Sequence, residues 1–336
     1  MARTAALLAA LALLHCGSVP EEDSPKGARV ADWVTVAADG PPTARREAAM
    51  VALGGKGYLL GGRGVKPVEE FDPQTRSWRQ LGPTPLEIHH FQPVVFRDRT
   101  WVMTAMTGRY PKETPLETVY VFDPSGDEWE KGPAVPASRR RGGAGTAVYD
   151  GKIYLACGIM DGHTSGTVAW FDEFDPATGE WTQLPDAPRA RDQFSAVVKD
   201  GQLYLVGGRN TSYHEPDNFT AFFDEVVPEV DGYDFSTGAW STLPAKLPVP
   251  TAAAGLAALD GSIYHFGGET GQDLAHSDAL RLDTATGEWH PAGSLVTGRH
   301  GAGTAGLDGR IHVAAGSGGR GGGSELDSTE VLDAGL

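Results

Sequence analysis

The sequence predicts an all-β chain folded as a six-bladed β-propeller of four-stranded antiparallel blades, the last blade closed by a strand from the N-terminal end. Three observations lead there. A strand motif, DGQLYLVGG from Asp200, recurs as DGKIYLACG from Asp150 and DGSIYHFGG from Asp260, with looser copies from Gly54, Arg97 and Asp308. A second motif follows the first five copies as FDPQTRSW, FDPSGDEW, FDPATGEW, YDFSTGAW and LDTATGEW, with Asp and Trp always six residues apart. Beyond the first 15 residues no long run has helical periodicity, and 45 glycines and 23 prolines punctuate short apolar segments.

Each element has its reason. The Asp-Gly pair suits the left-handed backbone of a two-residue hairpin, the alternating run after it suits a strand, and the closing glycine pair permits close backbone packing. The third repeat displays the whole unit, with strands expected at 143–149, 152–157, 167–174 and 180–184. The sixth repeat supplies strands at 301–307, 310–315 and 328–333, and its Trp strand is found at the other end of the sequence, in Trp33-Val34-Thr35-Val36. Joining the two removes an exposed sheet edge. Blades are expected near 48–82, 89–132, 142–185, 192–244, 252–293, and 301–335 with 32–37.

These residues resemble the kelch repeat: the glycine pair, the aromatic three positions before it (Tyr58, Trp101, Tyr154, Tyr204, Tyr264, with His312 in the sixth copy) and the later Trp. The resemblance covers about residues 30–336 and implies a kelch-like propeller. It is weakest at Thr104-Ala105 and Ala315-Gly316, where the glycine pair is partly lost. Kelch-like propellers host binding modules and unrelated enzymes, so the resemblance implies a fold more firmly than an activity.

A repeat of roughly 50 residues accounts for nearly all 336, so one domain is expected. The formal net charge of −16 argues against nucleic acid or an anionic membrane as partner of the whole surface. Residues 1–16, with Arg3 ahead of an apolar run to Leu14, have the order of a secretory leader and are too short to span a membrane as a mature helix. Leu13-Leu14-His15-Cys16 resembles a bacterial lipoprotein cleavage box with His15 where a small residue belongs, which leaves lipidation of Cys16 and plain secretion both open. Residues 17–29 then form a flexible tether and 30–336 the propeller. The expected location is outside the cytoplasm, as for a bacterial exported kelch-like protein, with membrane contact only through a lipid anchor. Cys157 is the one other cysteine, so no disulfide is expected; it reads as a small buried residue.

Antiparallel blades put the tight Asp-Gly and DPxTGxW turns on one face, and the length-variable loops with most histidines on the other. A ligand is therefore expected at the channel mouth on the variable-loop face. Counting back 13 residues from each aromatic gives Arg45, Ile88, Arg141, Arg191, Thr251 and Arg299, and two residues further on stand Glu47, His90, Gly143, Gln193, Ala253 and Gly301. Four arginines at equivalent positions read either as a cationic ring for a carboxylate or phosphate or as ion pairs with neighbouring blade loops. In the peptide-binding kelch domains that this chain resembles, residues of this region line the ligand pocket. Arg45, Glu47, His90, Arg141, Arg191, Gln193 and Arg299 are the candidate ligand-binding residues.

The insertion 209–228 is rich in aromatics and acids, which suits either sugar or peptide stacking or a small core of its own built on Phe219, Phe222 and Phe223. His163, His214 and His276, near Asp161, Glu215 and Asp273, occupy equivalent loops, but no pair has metal-ligand spacing. No metal, cofactor or catalytic residue is assigned. The expected function is a binding or protein-interaction module, monomeric, for a protein, peptide or saccharide that is anionic. The alternative, implied by resemblance to sialic-acid epimerases and galactose-oxidase-like propellers, is a carbohydrate-active enzyme. Its acid–base candidates are Glu47, His90 and Glu215, and the oxidase form would need a Tyr crosslinked to a Cys.

Overall fold

The computed structural model describes residues 32–333. The leader, Cys16 and the tether lie outside the described residues. Six four-stranded antiparallel sheets follow one another around a central channel, each strand pairing with the next from the channel outward. Blade 1 is Ala48–Leu53, Lys56–Gly61, Pro67–Asp72 and Ser77–Pro83. Blade 3 is Gly145–Tyr149, Lys152–Ala156, Phe171–Asp175 and Glu180–Leu184. Its third strand starts later than expected because 159–167 folds back as a separate small hairpin, Ile159–Asp161 with Ser165–Thr167. No α-helix occurs among the described residues.

Ring closure follows the sequence pattern. Gly303–Leu307, Arg310–Ala314 and Thr329–Asp333 are joined by Asp32–Thr35 as the outermost strand, in the register Trp33↔Leu332 and Asp32↔Asp333. Trp33 is buried in the seam between blades 5 and 6, 4.6 Å from the Phe266 ring, and its indole N–H donates to the Ala292 carbonyl at 3.3 Å.

The core lies between blades rather than within one. Apolar residues that alternate along the middle strands meet those of the next blade, as Tyr154, Phe171, Leu203, Leu205 and Tyr233 do between blades 3 and 4. The repeated Trp packs on the Phe of its own motif, with ring centroids 5.0 Å apart for Phe71 and Trp78 and 4.8 Å for Phe174 and Trp181. The fixed Asp-to-Trp spacing is thereby explained. The Asp carboxylate caps the turn, Asp72 accepting from the Gln74 N–H at 2.9 Å and Asp175 from the Ala177 N–H at 2.8 Å, and the turn delivers Trp opposite Phe.

Candidate functional site

On the variable-loop face each blade enters its first strand through a residue with left-handed backbone. These are Glu47 (φ 57°), His90 (51°), Gly143 (59°), Gln193 (54°), Ala253 (51°) and Gly301 (55°). The bend turns their amides and carbonyls around the channel. The Gly143 N–H donates to the His90 carbonyl (2.8 Å), Gln193 to Gly143 (3.0 Å), Ala253 to Gln193 (2.6 Å) and Gly301 to Ala253 (2.9 Å), while the Ala48 N–H reaches Gly301 (3.1 Å). Backbone hydrogen bonds thus tie blade to blade, and the side chains at these positions face the channel mouth.

The arginines two residues earlier do something else, and the expected cationic ring is corrected. Arg45, Arg141, Arg191 and Arg299 are at most 1% exposed and lie inside their own blades. Each donates to the carbonyl 16 residues on, at Gly61, Cys157, Gly207 and Ala315, all of which have left-handed backbone. Each also pairs with a buried carboxylate on the third strand of the same blade: Arg45 with Glu69, Arg141 with Asp172 (2.7 Å), Arg191 with Asp231 (2.5 Å) and Arg299 with Glu330. Burial lowers all four guanidinium pKa values, and in each the paired carboxylate opposes the shift. The partners are in the same blade, not in neighbouring blade loops.

Blades 2 and 5 lack both halves of this clamp. Ile88 and Thr251 replace the arginine, and Tyr120 and Leu280 stand where the carboxylate would be, opposite Val102 and His265. Thr251 still reaches the equivalent carbonyl, of Gly267, at 2.8 Å. That matched loss is what a buried ion pair requires, because one partner alone would be a stranded charge. The pairing was readable in the sequence.

A cavity of about 490 Å³ opens on the variable-loop face, with walls from all six blades. Glu47, His90 and Gln193 line it; the four clamp arginines do not. Its cations are Arg46 at a strand entry, Arg63 and Arg209 just past glycine pairs, and Arg109 and Arg320 in the loops between second and third strands. Most are engaged: Arg46 with Glu325 (2.8 Å), Arg63 with Glu113 (2.6 Å) and Arg209 with Glu269 (2.6 Å). Arg109, exposed at the rim, has no ion-pair partner among the described residues.

The floor is built from histidines and carboxylates. Glu47 lies 3.4 Å from His90 Nε2 and 3.6 Å from His300 Nδ1, with no arginine or lysine paired to it among the described residues. His89 and His90 meet Nδ1 to Nδ1 at 2.6 Å, so one carries a proton there and the other accepts it. Burial, with Arg63 nearby, lowers the His89 pKa to about 4. Burial and the neighbouring His89 hold His90 well below the usual value, so both are neutral at pH 7. Beside His90, with ring centroids 5.1 Å apart, His163 places Nδ1 3.1 Å from Glu113 Oε2. Burial opposes ionisation of Glu113, but bonds from His163 and Arg63 prevail and lower its pKa to about 2. The carboxylate can only accept, so His163 donates from Nδ1 and its Nε2 is left for the cavity.

The insertion roofs one side. Phe222 is fully buried, Phe223 lines the cavity, and the Arg209 guanidinium lies 4.8 Å from each ring. The insertion therefore makes a small core of its own and also supplies cavity wall. Phe219 is exposed and stacks on His214 at 4.3 Å. Glu215, an acid–base candidate, bonds to Tyr213 and Asn218 within the insertion and does not line the cavity. The three equivalent-loop histidines do not converge: His214 bonds to the Thr164 carbonyl at 2.9 Å and His276 to Thr270 at 3.0 Å. Cys157 is fully buried, and burial pushes its thiol up to about 12. His163, Glu113, Arg63 and Arg109 were not singled out as acid–base or ligand residues from sequence; they follow the second strands of blades 1 to 3, which end at Gly61, Val102 and Ala156, at no spacing common to all four.

The family model for the Attractin/LZTR1 beta-propeller matches residues 28–277. Kelch-like protein terF of Aspergillus terreus is 25% identical over 322 residues, covering 90% of this chain and 67% of that protein. Kelch-like protein 40 of Xenopus tropicalis is 27% identical over 169 residues, covering 48% of this chain and 26% of that protein. Kelch-like protein 33 of Homo sapiens is 32% identical over 151 residues, covering 44% and 26%. The chain thus spans two thirds of the fungal relative and about a quarter of these two vertebrate ones. The solved structure of YjhT superposes with a TM-score of 0.71 at 16% identity, over 86% of this chain and 95% of that one, which shows the shared fold. With six blades, in-phase glycine pairs and a family match over most of its length, the chain belongs to the Attractin/LZTR1 beta-propeller family and is a kelch-repeat propeller.

Proposed function

We propose that this propeller is a protein-interaction module that takes an acidic, extended segment of a partner protein across the variable-loop face. One observation carries this reading. Of the seven exposed large apolar side chains among the described residues, six stand on that face: Val65, Tyr110, Tyr213, Phe219, Leu274 and Val296. One of them, Tyr110, lines the cavity mouth, which carries five arginines on a chain whose overall charge is −16. The opposite face carries the capping aspartates of the tight turns, such as Asp72, Asp175 and Asp283. Exposed apolar side chains on the face that also presents the Arg109 guanidinium, unpaired among the described residues, suit an acidic peptide with apolar flanks, and the aspartates of the opposite face orient its approach. The leader-like residues 1–16 favour action outside the cytoplasm, freely secreted or held through Cys16.

The test is selection from a random peptide library on the purified propeller. Enriched peptides should carry Asp or Glu beside apolar residues, and should lose binding to Arg109→Glu and Leu274→Asp but not to Asp175→Lys. Enrichment without acids, or binding indifferent to the first two changes, would refute the reading.

One further observation favours the second reading, acid–base turnover of a carbohydrate. Glu47 and His90 meet at 3.4 Å on the floor of a cavity of small-molecule size. Anomeric exchange rates of a sugar panel, with and without the protein, test it. No acceleration over the Glu47→Gln variant would retire it.

A further inference from the structure

The cavity distributes its hydrogen-bonding groups in a definite order from rim to floor. At the rim Arg109 is a guanidinium without a carboxylate partner among the described residues. At the floor the groups without partners are mainly acceptors. Glu47, 8% exposed, offers carboxylate oxygens with only neutral or distant imidazole nitrogen near them. His163, 6% exposed, offers Nε2, because Glu113 fixes the proton on Nδ1. Gln193, 5% exposed and a cavity-lining residue, adds one donor: its buried side-chain Nε2 has no hydrogen-bond partner among the described residues. Buried polar groups left this way are costly unless a ligand or water completes them.

We infer that the cavity is a binding site for a small polyhydroxylated carboxylate of the uronic-acid class. The carboxylate lies at the rim on Arg109, and the hydroxyl-bearing end lies on the floor. Two hydroxyls donate, one to Glu47 and one to His163 Nε2, and one hydroxyl oxygen accepts from Gln193. Arg63 and Glu113 are positioning residues: Arg63 keeps Glu113 ionised, and Glu113 keeps His163 in the tautomer that accepts. Binding requires no turnover, so the site stands whether or not a reaction follows, and it requires no partner protein.

The experiment compares three probes on the full chain by calorimetry and ligand-observed NMR. Glucuronate carries both features, glucose only the hydroxyls, and glutarate only the carboxylates. Glucuronate should bind at least about tenfold more tightly than either of the others. Arg109→Met should reduce glucuronate affinity to that of glucose, and His163→Phe should reduce it to that of glutarate. Glu113→Gln should weaken glucuronate about tenfold while leaving glutarate unchanged, a pattern that a general loss of structure would not produce. Glu215→Gln, outside the cavity, should change nothing. A glucuronate-terminated oligosaccharide binding as tightly as the free acid would place the natural source on a glycan, and weaker binding would place it among free acids; both support the site. Saturable binding absent up to about 10 mM, or glutarate equal to glucuronate, would overturn it. So would a His163→Phe variant that keeps the preference. Acidic-peptide binding that persists when glucuronate fails would leave the interaction reading standing and remove only this one.

Discussion

Replacing Arg299 by Thr should destabilise the propeller far more than replacing Arg299 and Glu330 together by Thr and Leu. Arg299 donates to the carbonyls of Ala315 (3.0 Å) and Ser328 (3.1 Å) and pairs with Glu330 at essentially zero exposure. Without the guanidinium, Glu330 keeps only the Val296 and Thr297 N–H groups (2.8 and 3.0 Å) to hold a buried charge. Breaking one half of a buried pair costs about 3–5 kcal/mol. At an unfolding entropy of about 2.1 cal/mol/K per residue, a chain of this length loses about 6 °C of Tm for 4 kcal/mol. The double variant reproduces what blade 5 already contains, Thr251 on the Gly267 carbonyl beside Leu280. It strands no charge and leaves two N–H groups near the surface, where water can serve them, so its cost is about 1–2 kcal/mol. Urea titration of wild type, both single variants and the double completes the cycle. A double variant as unstable as the sum of the singles would refute the clamp.

Three further outcomes are expected. Ala253 sits at φ 51°, so Ala253→Gly should stabilise by about 0.5–1 kcal/mol, whereas in Gly301→Ala the new Cβ would meet the Glu47 amide nitrogen at 2.9 Å and destabilise the channel ring; thermal melts of both variants check the signs. Cys157, with its thiol pushed up to about 12, should resist maleimide at pH 8 in the native protein and label at once in denaturant. His89 and His265, lowered by burial to about 4 and about 3, bind protons more readily when unfolded. Stability should therefore be complete above the unfolded value near 6.5 and fall as pH drops toward 4, by about 3 kcal/mol for His89 alone; a urea midpoint unchanged between pH 7 and 4.5 would contradict this. Glu113, lowered to about 2, acts in the same direction below about pH 4.5.

Much of the architecture was legible because each blade repeats the same short-range chemistry. Asp72-to-Trp78 and its four counterparts announce a capped turn that delivers Trp onto Phe, and Trp33-Val34 is recognisable as a strand without partners of its own. Strand starts were less legible where an insertion folds back locally, as the hairpin 159–167 does before Phe171. The site was half legible. Counting from the aromatics found Glu47, His90 and Gln193, because the left-handed bend recurs at a fixed distance from the second strand. The same count misread Arg45, Arg141, Arg191 and Arg299, because position along a strand does not say whether a long side chain turns toward the channel or back along its blade. The deciding clue lay some 24 to 40 residues downstream, in an acid present only where the arginine is. Arg63, Glu113 and His163 come from three different blades, and no local pattern in the sequence brings them together.

Pairing Asp32 with Asp333 joins strands farther apart along the chain than any other strand pair among the described residues. Every other blade is stitched from neighbours along the chain, whereas this contact encloses about 300 residues, for which (3/2)RT ln n amounts to about 5 kcal/mol. Sequestering one Trp side chain from water returns about 4–6 kcal/mol, so the indole of residue 33 alone roughly offsets the entropy of shutting the circle. Assembly should therefore end with this clasp, after the six sheets have formed, and until it fastens the strand Thr329–Asp333 stays an open edge on which another molecule can add.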